Sequence, residues 1–141
     1  MRDYLFRGKC IDNSGYRGKW VTGSLWVKEN HVYISLYEDA DFLVEVDPET
    51  VGQFTGLHDK NGVKIFEGDI LECKIRYGMG TKLEKEHRVV LWEDRGFCTK
   101  IITSRYSDGL SPGSWSLPEI QAFISNKVIG NIHDNPELLK V

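Results

Sequence analysis

The stretch Thr50–Leu71, TVGQFTGLHDKNGVKIFEGDIL, holds the densest run of turn signals and β-type residues in the chain. Its first two glycines, inside a short apolar run, indicate a bend or the close approach of another backbone. Asn-Gly further on suits the positive φ values of a type I′ hairpin turn, and Gly-Asp marks a second turn. The stretch predicts a hairpin whose key residues serve backbone geometry: Gly52, Gly56, Asn61, Gly62, Gly68 and Asp69.

Four strands are predicted before this hairpin. The clearest is His31–Tyr37, in which apolar residues alternate with polar and aromatic ones at a period of two. The others are Tyr4–Cys10, Trp20–Val27 and Phe42–Val46, so the first 46 residues indicate a β-meander. Asp-Pro then breaks the pattern and predicts a seam near residues 47–50, between the meander and a barrel-like C-terminal core.

Further strands are predicted after the hairpin, at Ile70–Tyr77, His87–Glu93, Phe97–Thr103 and Lys127–Ile132. Two glycines and alternating charges predict an exposed, mobile loop at Tyr77–Glu86, and Ser104–Gly113 is a polar loop. Leu117–Asn126 fits a short helix or a strand, and Pro136 ends regular structure. The predicted fold is mainly β: one small antiparallel barrel-like domain over residues 1–141, with at most one short helix.

Composition places the chain among ordinary soluble proteins. Of its 141 residues, 40% are hydrophobic and 28% charged, which suits one globular domain. The N-terminus has no apolar signal segment and no apolar run approaches ~18 residues, so we expect a cytoplasmic protein with no membrane association. The spacing of Cys10, Cys73 and Cys98 matches no metal motif, so free thiols are expected.

The net charge of −3 is unevenly spread. No lysine or arginine lies between Lys28 and Lys60, whereas Lys74–Arg88 is basic. Such a division suits pairing of copies or steering of a charged partner, although a solvated charged surface is the ordinary alternative.

Aromatic and basic residues of the second half suggest a nucleic-acid surface, as small β-barrels present both on one side. The overall acidity and the lack of an RNP-type motif count against it. Its candidate residues are Arg76, Lys82, Lys85, Arg88, Trp92, Lys100 and Arg105, with Tyr77, Phe97 and Tyr106 beside them.

Catalytic and metal signatures are weak. Asp59-Lys60-Asn61-Gly62 begins like a calcium loop, but the later oxygen ligands are missing. Two carboxylate groups, Glu38/Asp39/Asp41 and Glu67/Asp69, lie at predicted turns, where Asp commonly caps backbone N–H groups. No nucleophile motif is present. The sequence therefore predicts no enzyme, no cofactor and no metal, with a hydrolase around Glu67, Asp69 and His58 as the enzymatic alternative.

Five segments, in this order, carry a family resemblance: LFRGKCIDN (5–13), WVTGSL (20–25), VDPETVGQFTGLHDKNGVKIFEGDIL (46–71), VVLWEDRGF (89–97) and VIGNIHDNPELL (128–139). The chain resembles the YopX family of bacteriophages and prophages of low-GC Gram-positive bacteria, with a small insertion at Ser14–Lys19. The resemblance implies a mostly β fold with a barrel-like core and a phage protein in the bacterial cytoplasm. It implies no catalytic residue and no cofactor.

Three functions follow as hypotheses. The leading one is a non-enzymatic β domain that binds a phage or host protein or assembles with itself, as its divided charge and lack of catalytic motifs suggest. The alternative is a nucleic-acid-binding small β-barrel. The third is an enzyme whose site only the fold assembles.

Overall fold

A computed structural model describes residues 4–36, 42–76, 83–93, 96–103, 115–116 and 125–139. Within these ranges the chain forms eleven strands, two single 3-10 turns (Pro48–Thr50 and Pro136–Leu139) and no α-helix. The mainly β prediction is therefore confirmed. The strands are β1 (Phe6–Lys9), β2 (Trp20–Lys28), β3 (His31–Leu36), β4 (Leu43–Val46), β5 (Gly52–His58), β6 (Lys64–Phe66), β7 (Asp69–Arg76), β8 (Leu83–Glu93), β9 (Gly96–Thr103), β10 (Trp115–Ser116) and β11 (Ser125–Asn131).

The chain divides into two compact units, Met1–Gly56 and Leu57–Val141. The division falls within β5, whereas the sequence placed a seam at residues 47–50. Two antiparallel sheets are formed, with strand orders β4-β3-β2-β1-β5-β6 and β10-β9-β8-β7-β11. The description as barrel-like was only approximate, because these are two sheets and not one closed barrel.

The first unit contains the predicted meander, in which β1 to β4 pair in sequence order. Its core comes from residues that alternate along each strand, because successive side chains point to opposite faces. The buried set is Cys10, Val21, Ile34, Val44 and Val46, with Leu25, Val32, Leu36 and Val51 packed against it. The register thus settles which face of β2 is internal, a point that its half-apolar sequence left open.

The outer edge of β4 is covered by residues that follow β1. Ile11 N–H donates to Glu45 O at 2.9 Å, and Cys10 forms a bridge with Val46. The Asp12 carboxylate accepts from Glu45 N–H at 2.8 Å and Ser14 N–H at 2.9 Å. Burial raises the pKa of Asp12, but hydrogen bonds with the Ser14 side chain, the Glu45 N–H, the Cys10 thiol and the Ser14 N–H outweigh burial and lower it to about 2. The sheet therefore curls back on itself and hides an edge that would otherwise be open to pairing.

The hairpin between β5 and β6 differs from the predicted turn. Asn61 does not have a positive φ, since Glu29 is the only non-glycine residue in the described ranges that does. Instead Gly62 N–H donates to Asp59 O at 3.0 Å, Asp59 N–H donates to Val63 O at 2.8 Å, and only Gly62 (φ 81°) is left-handed. The type I′ prediction is wrong: the loop is a type I turn followed by a glycine bulge.

Asp59 explains this turn and joins it to the second sheet. Its Oδ1 accepts from the N–H groups of Asn61 (2.8 Å) and Val63 (2.9 Å), and its Oδ2 accepts from Val128 N–H at 2.9 Å. Lys60 N–H also donates to Asn126 O. Burial raises the Asp59 pKa, but the three backbone donors outweigh it and hold that pKa below its usual value. The side chain that resembled a calcium ligand instead fixes the hairpin against the edge of β11.

The other predicted turn residues also serve the backbone. Gly56 (φ 86°) and Gly68 (φ 91°) are left-handed, and Asp69 Oδ2 accepts from Phe66 N–H at 2.7 Å. Gly52 is different, because it lies inside the sheet opposite Arg7 of β1. The close backbone approach at Gly52 stays a prediction.

Three other predictions on regular structure need correction or fall outside the described residues. The prediction of a loop at Tyr77–Glu86 is wrong for residues 83–86. These residues form the start of β8, and Glu86 is buried. Pro136 begins a 3-10 turn and does not end regular structure. Of Leu117–Asn126, residues 117–124 lie outside the described ranges, as do 77–82 and 104–113, and residues 125–126 belong to β11.

Candidate functional site

The longest strand, β8, presents charged residues on both faces of the second sheet. Glu86, Arg88 and Val90 share one face, and Lys85 and His87 share the other, since side chains alternate along a strand. The first face is the core side, where Val90 packs with Leu71, Cys73 and Ile65. We call the two surfaces the inner face and the outer face.

The inner face contains a buried ion pair. Glu86 and Arg88 are each 1% exposed, and Arg88 Nε donates to Glu86 Oε1 at 2.5 Å. Arg88 Nη1 also donates to Thr99 Oγ1 at 3.3 Å. Cys73 lies opposite Glu86 in the register, and burial raises the pKa of its thiol to about 12. That thiol stays protonated, so the inner face is a structural polar cluster without an available thiolate nucleophile.

A second set of charges crosses the outer face. Lys127 on β11 and His87 on β8 both lie opposite Glu72 on β7. His87 Nε2 is 3.5 Å from Glu72 Oε2, and Lys127 Nζ is 3.7 Å from Glu72 Oε1. Burial raises the Glu72 pKa, but the His87 hydrogen bond and the charges of Lys127 and Lys85 outweigh it and lower it.

The next row of the outer face consists of two lysines. Lys74 on β7 lies directly opposite Lys85 on β8, and the register continues to Arg76 in the row beyond. Like charges directly opposite on neighbouring strands are destabilising. One carboxylate, Glu72, is shared among the surrounding cations. We call this surface, formed by Lys74, Lys85, His87 and Lys127 around Glu72, the cationic face.

Comparison with known proteins places the chain in a family. The family model described as YopX protein matches residues 8–140, which is nearly the whole sequence and spans both units. The chain belongs to the YopX family. Protein EF1440 from Enterococcus faecalis, known from its crystal structure, shares 22% sequence identity with it at a TM-score of 0.55. That match covers 99% of this chain and 100% of EF1440, and at this identity it shows the fold alone.

No curated protein matches the chain. Within the part of this YopX-family chain that the structure describes, no helix is long and apolar enough to cross a membrane. Within the same ranges, the structure contains no group of three or more His, Cys, Asp or Glu residues placed to hold a metal ion. The acidic group Glu38/Asp39/Asp41 lies outside the described residues.

The structure separates the predicted nucleic-acid surface into several parts. Lys85 lies on the cationic face, and the backbone register places Arg76 in the same set of rows. The prediction that Arg88 lies on the surface is wrong, because its side chain is 1% exposed and donates to Glu86. Lys82 and Arg105, with Tyr77 and Tyr106, lie outside the described residues.

Of the last two members of that set, Trp92 shares the parity of the inner-face residues of β8, and Lys100 lies opposite Val89 on the outer face, beyond His87. Trp92 is 56% exposed near the end of β8 and meets Phe97 edge to face at 4.7 Å between ring centroids. Lys100 Nζ lies 2.8 Å from Glu93 Oε1, and that pairing raises its pKa. The fold therefore brings Lys85 together with Lys74 and Lys127, not with Trp92.

The structure describes all three residues of the hydrolase alternative, and Glu67 is half-buried. Asp69 is buried and its carboxylate accepts from Phe66 N–H, while His58 is exposed. Cys10, Cys73 and Cys98 are buried and form no disulfide, as their spacing indicated.

Sequence reasoning missed Lys127, Glu72 and the buried role of Glu86. The alternation of Lys74 with Arg76 and of Lys85 with His87 was a usable signal for two cationic strand faces. Only the pairing of β11, β7 and β8 shows that these residues share one surface.

Proposed function

We propose that this YopX-family chain is a non-enzymatic binding domain that holds the phosphate backbone of a nucleic acid on its cationic face. The observation that carries the proposal is the register that places Lys74 directly opposite Lys85. This arrangement costs stability in the free protein. An anion between the two ammonium groups would relieve that repulsion, and phosphate oxygens are suitable acceptors for lysine.

The position of these charges within the fold supports the same conclusion. The whole chain carries −3, whereas Lys74, Lys85 and Lys127 are gathered on one surface of the second unit. The lysines stand on three adjacent strands, which hold them more rigidly than loops would. The buried Glu86–Arg88 pair lies on β8 directly behind them.

An apolar protein interface fits this surface less well. The centre of a protein–protein interface is depleted in charged residues and enriched in large apolar ones. None of the exposed large apolar side chains in the described ranges belongs to the cationic face. Edge-to-edge self-assembly is also reduced, since residues of the same chain cover the edges of β4 and β11. The phage context implied by the family resemblance would place such a binder in the bacterial cytoplasm.

A titration at several salt concentrations tests the proposal. Labelled single-stranded DNA, duplex DNA and RNA are titrated with protein between about 50 and 200 mM salt. Each lysine–phosphate contact steepens the plot of log affinity against log salt by about 0.7–0.9. We expect the double variant Lys74→Gln/Lys85→Gln to lose about 1.5 of that slope and at least about tenfold in affinity.

Lys64→Gln is the matched control, because Lys64 is an exposed lysine on β6 of the same unit. It should bind like the wild type. A double variant that behaves like this control would overturn the proposal, as would no binding of any nucleic acid at low salt and tens of micromolar protein. Displacement by polyglutamate at equal charge would reassign the face to an acidic protein segment.

A further inference from the structure

The outward face of the first sheet presents aromatic rings beside cations. On β2 the side chains of Trp20, Thr22, Ser24 and Trp26 alternate with the core residues Val21 and Leu25. The even-numbered positions therefore form one row along the side of the sheet away from its core. Thr22 and Ser24 are exposed between the two tryptophans.

One end of this row carries positive charge. Lys9 lies opposite Trp20 and Arg7 opposite Thr22 in the pairing of β1 with β2. The Arg7 guanidinium carbon lies 4.7 Å from the Trp20 ring centroid, and Lys9 Nζ lies 5.7 Å from it. Cations at these distances interact favourably with the aromatic ring. They also place two positive charges at the surface of the sheet.

The other end of the row carries open aromatic surface. Trp26 is 59% exposed and lies opposite Tyr33 on β3. The imidazole of His31 lies 6.4 Å from the Tyr33 ring, and His31 Nδ1 is 2.6 Å from Glu45 Oε1. An aromatic pair bordered by an imidazole and a carboxylate offers both a stacking surface and hydrogen-bonding groups for a base edge.

These positions suit an extended ligand that is both aromatic and anionic. Trp20 and Trp26 are six residues apart on one strand, so they lie about 20 Å from each other. Cations at one end and open rings at the other match a chain that carries phosphates and unstacked bases. A duplex hides the faces of its bases, whereas a single strand exposes them.

We propose that the outward face of the first sheet binds unpaired bases of single-stranded nucleic acid. The bases stack on Trp26 and Tyr33, and the phosphates lie toward Arg7 and Lys9. This surface shares no residue with the cationic face and goes beyond the proposed function, because it adds base stacking and a preference for single strands. Charge complementarity with Arg7 and Lys9 selects a nucleic acid over a neutral apolar partner.

The test compares single-stranded with duplex affinity for Trp26→Ala, which truncates an exposed side chain and leaves the core intact. Loss of one stacked base should weaken single-strand binding roughly 5- to 150-fold. Duplex affinity should stay unchanged, and Trp26→Phe should restore most of the single-strand affinity. Trp92→Ala is the matched control, since Trp92 is a similarly exposed tryptophan of the other unit. Thermal melts confirm that each variant folds.

The outcomes separate the two proposals. If Trp26→Ala leaves the ratio of single-strand to duplex affinity unchanged, the stacking inference alone is overturned. Duplex binding that is lost in Lys74→Gln/Lys85→Gln would still support the cationic face. Self-association that disappears in Trp26→Ala would instead make this surface an interface between copies of the chain.

Discussion

On each face of the second sheet a glutamate lies beside basic side chains. On the inner face Glu86 holds Arg88, both 1% exposed, at 2.5 Å. On the outer face Glu72 meets His87 and Lys127 at 3.5 and 3.7 Å, where the side chains are in partial contact with water. The residue types are similar, but the solvent around them differs.

That difference determines what each pair contributes. Removing a charge from water costs several kcal/mol, so a buried charge that loses its partner is strongly unfavourable. An exposed pair gains little, because water and salt already screen its charges. The inner pair should therefore control folding, while the outer charges remain free to control binding. Four predictions test this contrast, from the largest effect to the smallest.

Arg88→Ala should reduce the free energy of unfolding by about 3–5 kcal/mol, because it removes the guanidinium that donates to the buried Glu86 carboxylate. Urea denaturation of the wild type and the variant measures this loss. The double variant Glu86→Leu/Arg88→Met is the control, and it should lose far less because neither charge remains. A double variant as unstable as Arg88→Ala would show that the pair itself stabilises the fold.

Thr99→Val should lower the free energy of unfolding by about 1–3 kcal/mol. It removes the hydroxyl that accepts a hydrogen bond from Arg88 and nearly preserves the side-chain volume. Thr99→Ser, which keeps the hydroxyl, should lose less. The same denaturation experiment compares them. If valine proves better tolerated than serine, packing and not the hydrogen bond matters at this position.

Glu72→Gln should lower the free energy of unfolding by only about 0.2–1 kcal/mol at neutral pH. The folded-state pKa of Glu72 lies below its ordinary 4.5, so its stabilising contribution is present above pH 4.5 and is lost as the pH falls through the lowered value. Stability curves measured from neutral to acidic pH should converge for the two proteins at low pH. A gap that widens on acidification would contradict this assignment.

Lys85→Gln should be about 0.2–0.5 kcal/mol more stable than Lys127→Gln, and it should weaken nucleic-acid binding. Both variants lose a charge that attracts Glu72, but only Lys85→Gln also removes the repulsion with Lys74. Lys127→Gln is the control: it removes a partner of Glu72 and relieves no such opposed pair, so it should bring no gain. A stability of Lys85→Gln at or below that of Lys127→Gln would indicate that Lys74 and Lys85 do not repel each other measurably.

Much of the fold could be predicted because its signals are local. The alternation in β3 and the glycines at Gly62 and Gly68 reflect side-chain direction and backbone φ, which depend on a few neighbouring residues. The Asn-Gly turn type was predicted incorrectly for a tertiary reason. Asp59 accepts two N–H groups of its own loop and one from Val128, 69 positions away, and this arrangement favours a type I turn.

The candidate site depended more on the tertiary structure. Glu86 follows charged residues and was assigned to an exposed loop, but its pairing with Cys73 places it in the core. Arg88 belongs to the predicted nucleic-acid surface as one of the basic residues of the second half, yet the carboxylate two positions earlier on the same face compensates its burial.

The sequence by itself determined the family, the strand-forming segments and most of the turns, since these follow from period-two patterning and glycine geometry. The tertiary structure alone decided which charges are buried, which lysines oppose each other and which aromatic rings share a face. These depend on register between distant segments, and a shift of one residue would exchange the two faces of a strand.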